Sequence, residues 1–251
     1  MRPSDDIVTP ESFLHYLRTN LKVPPSEYRL PSRGVIVFGS TDFETFRRAI
    51  HGKRASWNQL QCVGRAGQRR VFVGRSQIGG PAAGIVVEEM GVRGVRDFIT
   101  FGACGSLRKD TPIGSFVVPT FAYPDEGTSR HYGAPRRPRP SPAILRALSG
   151  ACKRHGLPFK EGGVWTTDAP YRESLKRARD LARRGVVAVD MEASAIYAVA
   201  RHRAYRAGSL MVVSDELGGN GWNPGFWNPR FRRAKQKAIR VLVDALSRPW
   251  P

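Results

Sequence analysis

Residues 185–200, GVVAVDMEASAIYAVA, decide the fold class of this 251-residue chain. Residues 186–189 form a short apolar run of strand length, and the apolar residues after Glu192 recur with helical spacing. The two patterns meet at Asp190, Met191 and Glu192. A buried carboxylate without partners is costly, so Glu192 either faces a cavity and binds hydroxyl groups or faces solvent at the start of the helix.

The rest of the chain repeats this alternation of strand-length and helical segments. Strands are expected at residues 34–39, 71–74, 98–102, 115–119, 163–166, 186–189 and 209–214. Helices are expected at residues 9–20, from residue 42, at 81–90, 142–155, 173–184, from residue 193 and at 229–246. The alternation predicts a single α/β domain with a central mixed twisted sheet flanked by helices. We assign residues 1–30 to an N-terminal helical arm and residues 31–251 to this domain.

The charge of the chain is strongly positive. Lys and Arg number 41 against 21 Asp and Glu, a formal net charge of +20. Such a field attracts anions. The basic residues are spread along the chain in pairs, so nucleic-acid binding is possible but not favoured, and anionic substrates explain the charge as well.

The cysteines and the N-terminus bear on the compartment. Cys62, Cys104 and Cys152 are odd in number and widely spaced, which argues against a disulfide framework or a cysteine zinc site. The N-terminus carries acidic residues where a signal peptide has an apolar core, and no apolar stretch approaches the length of a membrane span. We therefore expect a cytoplasmic protein with no membrane partner.

Three strand ends carry residues suited to a ligand, because ligands of such sheets bind at the carboxyl ends of strands. The first strand ends at Gly39 and Ser40, and the strand from residue 98 ends in small residues around Ala103. The last strand delivers Ser214 and Asp215. Small residues let backbone N–H groups approach an anion, so the first two ends are candidates for holding phosphate.

The triplet at 190–192, the order of these loops and the Ser-Asp pair together resemble the nucleoside phosphorylase superfamily, over residues 34–246. The resemblance implies that Met191 packs under a ribose and that Glu192 accepts hydrogen bonds from its hydroxyl groups. It also implies that Asp215, with Ser214 beside it, meets the departing base and protonates or hydrogen-bonds a purine at N7. A carboxylate suits the sugar because it accepts two hydroxyl protons.

The phosphate residues follow the trimeric branch of this superfamily more closely than the hexameric one. The hexameric branch uses two arginines, and Phe43 and Thr100 stand at those positions. Resemblance to the trimeric branch implies a phosphate site at Ser40, Arg75 and Ala103, beside Gly39. A guanidinium fork suits phosphate oxygens, although Arg75 also fits an ordinary surface position at a strand end.

Further candidates come from two motifs and one loop. DEGTSRHY, residues 125–132, resembles a segment of the uridine phosphorylase branch and offers His131 to the sugar or to a neighbouring subunit. Residues 165–174, WTTDAPYRES, lie where the family contacts the base. The base-contacting candidates are Thr167, Tyr171, Arg172, Ser214 and Trp222, the last in a glycine-rich loop that could close and stack on the base.

The resemblance therefore implies a nucleoside phosphorylase that releases a base from a ribonucleoside, and the presence of Asp215 favours a purine as that base. Nucleoside and phosphate are its partners, phosphate is a co-substrate, and no metal or organic cofactor is required. The resemblance also implies a homo-oligomer, a dimer or larger. One alternative is a nucleosidase in which Glu44 activates water, although Glu44 also fits an ordinary first-turn helix acid. A non-catalytic nucleoside or nucleic-acid binder is the other.

Overall fold

The computed structural model describes residues 6–250, as a mixed sheet with helices on its faces. The helices are α1 Pro10–Thr19, α2 Pro25–Tyr28, α3 Ser40–Ala49, α4 Gly80–Val92, α5 Thr128–His131, α6 Pro142–Arg154, α7 Leu175–Arg183, α8 Ala193–His202 and α9 Pro229–Ser247, with a 3-10 turn at Pro170–Arg172. The strands are β1 Arg33–Val37, β2 Lys53–Arg54, β3 Gln61–Ala66, β4 Arg69–Arg75, β5 Asp97–Ser106, β6 Phe116–Asp125, β7 Phe159–Thr167, β8 Val186–Asp190, β9 Arg206–Glu216 and β10 Asn223–Pro224. The predicted mixed α/β architecture is confirmed.

The strands follow the order β10-β9-β6-β7-β8-β5-β1-β4-β3-β2, and β9 also pairs with β5. Strands β5, β8, β7, β6 and β9 therefore close into a ring, from which β1, β4, β3 and β2 extend as an open wing. Within the ring, β5–β9, β6–β7 and β7–β8 are parallel, whereas β5–β8 and β6–β9 are antiparallel. The sequence predicts the mixed sheet but not its closure.

Strand β5 makes the closure possible because it changes neighbours along its length. Its first half pairs with β1, and its last two residues, Gly105 and Ser106, pair with β8. The register of β5 against β9 shifts between Cys104 and Gly105, a bulge of the kind that bends a strand. A Cβ at Gly105 would lie 2.6 Å from a Leu217 atom and 2.9 Å from a Val189 atom, so the crossing requires glycine.

Helix α8 is deeply buried in the protein. All eight residues from Ala193 to Ala200 are buried, as the apolar run in the sequence predicts. It packs against α4 and against β9, where the Tyr197 hydroxyl hydrogen-bonds Ser209 Oγ at 2.8 Å. This packing fixes the amino end of α8, which carries the triplet.

The predicted arm of residues 1–30 contains α1 and α2, and its first five residues lie outside the described residues. Thr9 caps α1 by accepting a hydrogen bond from Ser12 N at 3.2 Å. Leu17 is buried, and α1 packs on α4. No helix in the described part of the chain is both long enough and apolar enough to cross a bilayer.

Several predicted boundaries differ from the structure. Strands β5, β6 and β9 are ten or eleven residues long, longer than the predicted segments, because they run on through polar residues to close the ring. The helix predicted from residue 173 begins at Leu175, since Ser174 is its cap. Apolar spacing in the sequence does not predict three of the strands. These are the two-residue strands β2 and β10, and β3, which contains an arginine.

Candidate active site

Asp190 fixes the start of α8. Its Oδ1 accepts a hydrogen bond from Thr166 Oγ1 at 2.7 Å, and its Oδ2 accepts from Ala193 N at 2.8 Å and Glu192 N at 3.2 Å. Thr166 Oγ1 in turn accepts from Ser194 N at 3.0 Å. Burial raises the pKa of Asp190, and these hydrogen bonds oppose the rise. Asp190 is thus a structural carboxylate that ties β7, β8 and α8 together.

Glu192 follows at the N-cap position of α8 and is 8% exposed. Its Oε1 accepts a hydrogen bond from Gly79 N at 2.7 Å, just before α4. Burial, followed by the negative charge of Asp190, raises the pKa of Glu192. A carboxylate can accept about four hydrogen bonds, so the contact with Gly79 leaves capacity for ligand hydroxyl groups. Met191, half-buried, lies between the two acids in the chain.

Glu126 joins this end of the site, although the sequence reasoning did not single it out. Its Oε1 accepts from Ser194 Oγ at 2.8 Å, and its Oε2 accepts from Thr128 N at 2.6 Å. A Cβ added to Gly80 would lie 3.1 Å from Glu126 Oε2. The residue therefore lies at the amino end of α4, one residue from the glycine that binds Glu192. The signal that could have identified Glu126 from the sequence is an acidic residue just before α5.

Asp215 converges on the same strand end from the other side. Gly105 of β5 pairs with Val189 of β8 and also with Asp215 of β9. Neighbouring strands are about 4.8 Å apart, so the backbones of Val189 and Asp215 are about 10 Å apart across β5. Buried Cys104 lies between the two acids: burial first, then the charges of Asp190 and Asp215, raise the pKa of its thiol. The segments that carry Glu192 and Asp215 therefore lie on two neighbours of the same strand, and the meeting of the two side chains in one pocket stays a prediction.

Both oxygens of the Asp215 carboxylate are engaged. Oδ1 accepts from Ser214 Oγ at 2.6 Å, and Oδ2 accepts from Trp222 Nε1 at 2.8 Å. Ser214 is buried, whereas Trp222 is 63% exposed. The structure shows the indole N–H of Trp222 bound to Asp215, and the stacking of its ring on a base stays a prediction.

Glu173 is a second acid at this end that sequence reasoning missed. It ends the 3-10 turn before α7 and is half-buried. Burial, with a smaller contribution from the charge of Asp215, raises the pKa of Glu173 to about 7. The sequence placed Glu173 inside a helix, which hid it. The signal for Glu173 in the sequence was its position within residues 165–174, the motif predicted to contact the base.

The residues predicted to bind phosphate lie near one edge of the sheet, on or just after the adjacent strands β4, β1 and β5. Val37 of β1 pairs with Arg75 of β4 and with Phe101 of β5, so the residues that follow each strand share one edge. Ala103 is exposed and Gly102 is half-buried, whereas the other residues of β5 are buried. Gly39 is the N-cap of α3, and exposed Ser40 begins it. Buried Asp42 places a carboxylate at the same helix end, where it forms an ion pair with Lys235 at 2.8 Å.

Arg75 is the available cation at this edge. It is half-buried, and its Nε is buried without a hydrogen-bond partner among residues 6–250. No carboxylate within that part of the chain forms an ion pair with its guanidinium. A buried N–H without a partner is unfavourable, which marks Arg75 as ready to bind an anion.

Glu44 lies in a different environment. It forms ion pairs with Arg47 Nε at 3.1 Å and with Arg54 Nη2. The hydrogen bond from Arg54, followed in effect by that from Arg47, holds the pKa of Glu44 below its usual value despite some desolvation. A carboxylate that is stabilised in its ionised form is a weaker base. The position of Glu44 therefore gives no support to a water-activating role.

The remaining candidates are dispersed. Thr167 is buried near Asp190, and its Oγ1 accepts from Ala169 N at 3.2 Å. Tyr171 is 99% exposed and Arg172 is exposed, both in the 3-10 turn. His131 is exposed on α5, 3.5 Å from Arg130 Nε. The structure thus brings together the candidates on β5, β8 and β9, while Tyr171, Arg172 and His131 point to solvent within one chain.

Comparison with known proteins places the chain in a family. The model of the phosphorylase superfamily matches residues 33–247. A guanosine phosphorylase from Halorubrum lacusprofundi is 34% identical over 175 residues, which are 68% of this chain and 73% of that protein. A DeoD-type purine nucleoside phosphorylase from Bacillus cereus is 32% identical over 152 residues, 59% of this chain and 65% of that one.

A solved structure supports the fold. Uridine phosphorylase from Vibrio fischeri superposes with a TM-score of 0.78 over 88% of this chain and 93% of that one, at 20% identity. The chain belongs to the phosphorylase superfamily. The family predicted from the triplet and the loops is confirmed.

Proposed function

We propose that the chain is a phosphorylase of purine ribonucleosides, which transfers the ribosyl group from the base to phosphate. The observation that carries this proposal is the pairing of Gly105 of β5 with both β8, which leads into Glu192, and Asp215 of β9. Arg75, two strands from β5 on the other side, has an Nε without a hydrogen-bond partner among residues 6–250. The similarity to a guanosine phosphorylase and to a purine nucleoside phosphorylase supports a purine as the base.

Glu192 and Met191 hold the ribose in this proposal. The free capacity of the Glu192 carboxylate accepts the sugar hydroxyl protons, and Met191 packs beneath the ring. Gly79 N fixes the carboxylate, so the sugar meets a pre-oriented acceptor. Fixed geometry of this kind lowers the entropic cost of reaching the transition state.

Arg75 holds the phosphate, together with Ser40, Gly39 and the backbone at Ala103. A phosphate oxygen attacks C1′ while the bond from C1′ to N9 breaks and its electron pair leaves with the base. The products are ribose 1-phosphate and the free purine. Cationic stabilisation at Arg75 also orients the nucleophile. The reaction needs no cofactor beyond phosphate as co-substrate.

Asp215 and Glu173 meet the base. Asp215 delivers a proton to N7 as the base departs, and Glu173 in its ionised form accepts a hydrogen bond from an N–H on the six-membered ring. This division of roles selects a base with an acceptor at N7 and a ring N–H, as guanine and hypoxanthine have.

The test is base release from purine and pyrimidine ribonucleosides, with and without phosphate. We expect release of purines only, only with phosphate, and with formation of ribose 1-phosphate. Arg75→Ala should raise the KM for phosphate about tenfold or more, because a charge-assisted contact is worth about 1.5–3 kcal/mol. Release without phosphate that Glu44→Gln abolishes would establish the hydrolase instead. A chain that releases no base and binds DNA or RNA in a salt-dependent way would be a binder.

A further inference from the structure

A cavity of about 590 Å³ lies apart from this site, where α9 begins. It opens beside the first residues of β6 and β7, Phe116 and Phe159, whereas the ends of those strands lie at the nucleoside site. Gly225 walls it off from Asp215: a Cβ there would be 2.4 Å from Ile113 Cδ1 and 2.6 Å from Ser214 O. The cavity is therefore separate from the proposed site.

The wall of the cavity is basic. Four cations line it against a single acid, Asp110; they are Lys160, Arg230, Arg233 and Lys237. Asp110 is already engaged by Arg108 Nε at 2.9 Å and by Lys160 Nζ at 2.9 Å. These two partners hold the pKa of Asp110 well below its usual range. The acid therefore has little capacity to neutralise the other cations.

Three of the cations form a stripe on α9. Arg230, Arg233 and Lys237 are spaced by three and four residues, so they share one face of the helix. None of them has an ion-pair partner in residues 6–250. The ion pairs of α9 in that range are formed by Lys235 and Asp244. The first turn of α9 carries no acid, so the helix dipole adds to the positive potential. Like charges held together in this way favour a polyanion.

The floor of the cavity is apolar. Ile113, Phe116, Leu157, Pro158 and Phe159 provide it. Small-molecule sites typically have about 300–1,000 Å³ and combine an apolar floor with a few convergent polar groups. A ligand that matches both walls has a flat apolar body and at least two phosphate groups.

We propose that this cavity is a second ligand site, which binds a nucleoside diphosphate or a compound of the same chemistry. The phosphates lie on the α9 stripe and Lys160, and the base lies against Leu157 and Phe159. This proposal is independent of the reaction at Glu192 and Asp215, since it uses none of the same side chains.

The test is titration calorimetry with ADP and, separately, with pyrophosphate. The variants are Arg233→Ala/Lys237→Ala, a matched pair Arg146→Ala/Lys153→Ala on α6, and Arg75→Ala in the nucleoside site. Both α9 residues are exposed, so folding should be kept, and the unfolding temperature of each variant verifies this. We expect ADP to bind the unchanged protein, the α6 pair and Arg75→Ala alike, and the α9 pair about tenfold or more weakly, as loss of two phosphate contacts predicts.

Four results would overturn the proposal. Loss of ADP binding in Arg75→Ala but not in the α9 pair would place the ligand in the nucleoside site. Equal losses in the α6 and α9 pairs would indicate a general effect of net charge. Pyrophosphate binding as tight as that of ADP would remove the role of the apolar floor. Binding of single-stranded RNA that depends on α9, with none of ADP, would make the surface a nucleic-acid interface.

Discussion

The two ends of the proposed nucleoside site are built differently. At the sugar end, Asp190 and Glu192 are buried and held by backbone N–H groups and Thr166. At the base end, Asp215 is held by Trp222, which is 63% exposed in a loop with four glycines between residues 218 and 225. The sugar end is thus part of the core, whereas the base end depends on a segment that contributes little to it.

This difference indicates where substrate choice can change. A change at the sugar end alters hydrogen bonds that also hold β7, β8 and α8 together, so it affects folding. A change at the base end alters contacts of a surface loop and of the turn before α7. We therefore expect stability effects at one end and kinetic effects at the other.

Asp215→Asn should give the largest effect. Asparagine keeps the shape but has no acidic proton to give to the base, so kcat for purines should fall about 100- to 10,000-fold. Unfolding temperature should hardly change. Steady-state kinetics of base release measures the loss, and Asp180→Asn on α7, outside the proposed site, is the matched control. Full activity in Asp215→Asn would remove this residue from the reaction.

Asp190→Ala should act at the sugar end by lowering the stability of the fold. It removes the cap of α8 and leaves Thr166 Oγ1 and backbone N–H groups without their partner. Loss of a cap and of buried hydrogen bonds should lower the free energy of unfolding by about 3 kcal/mol. Chemical denaturation measures it. A change of less than about 0.5 kcal/mol, the size typical of surface substitutions, would contradict the structural role.

The raised pKa of Glu173 predicts a pH dependence at the base end. The acid is neutral below about pH 7 and ionised above, and only the ionised form accepts from a ring N–H. The KM for guanosine should therefore fall as pH rises through about 7. Glu173→Gln should abolish this dependence and raise KM about tenfold, the cost of losing one hydrogen bond to a charged group. A pH profile of KM unchanged by the substitution would contradict the assignment.

Trp222→Phe should give the smallest effect. It removes the indole N–H from Asp215 Oδ2 and keeps an aromatic ring. Loss of one hydrogen bond worth about 1 kcal/mol should lower kcat about fivefold, with KM nearly unchanged if the ring does not stack on the base. A large rise in KM with kcat unchanged would instead support the stacking role predicted from sequence. Trp227→Phe, at a residue 91% exposed in the same loop, is the control.

The sequence predicts the local elements and the family because apolar spacing and the triplet at 190–192 are local patterns. It also predicts that Glu192 and Asp215 meet, through the resemblance rather than through any pattern in the residues. The closure of the ring is not local: it depends on β5 pairing with β1, β8 and β9 at different positions, and on a bulge at Gly105.

The missed and reassigned residues have the same cause. Glu173 and Glu126 lie beside the site through the path of turns, which apolar spacing does not describe. Trp222 was assigned by its ring, whereas its position at the entry to β10 directs its N–H to Asp215. The hydrogen bond from Trp222 to Asp215 spans 7 positions in the chain, and the one from Ser194 to Glu126 spans 68.

The ring of five strands holds the spacing of the two acidic segments by two routes. The short route runs from β8 through β5 to β9, and the long one returns through β7 and β6. Because two sets of paired strands fix this spacing, disruption of one set should change the spacing less than it would if that set acted alone. We therefore expect insertions in the loops at the rim of the ring to leave the spacing of the two acidic segments unchanged.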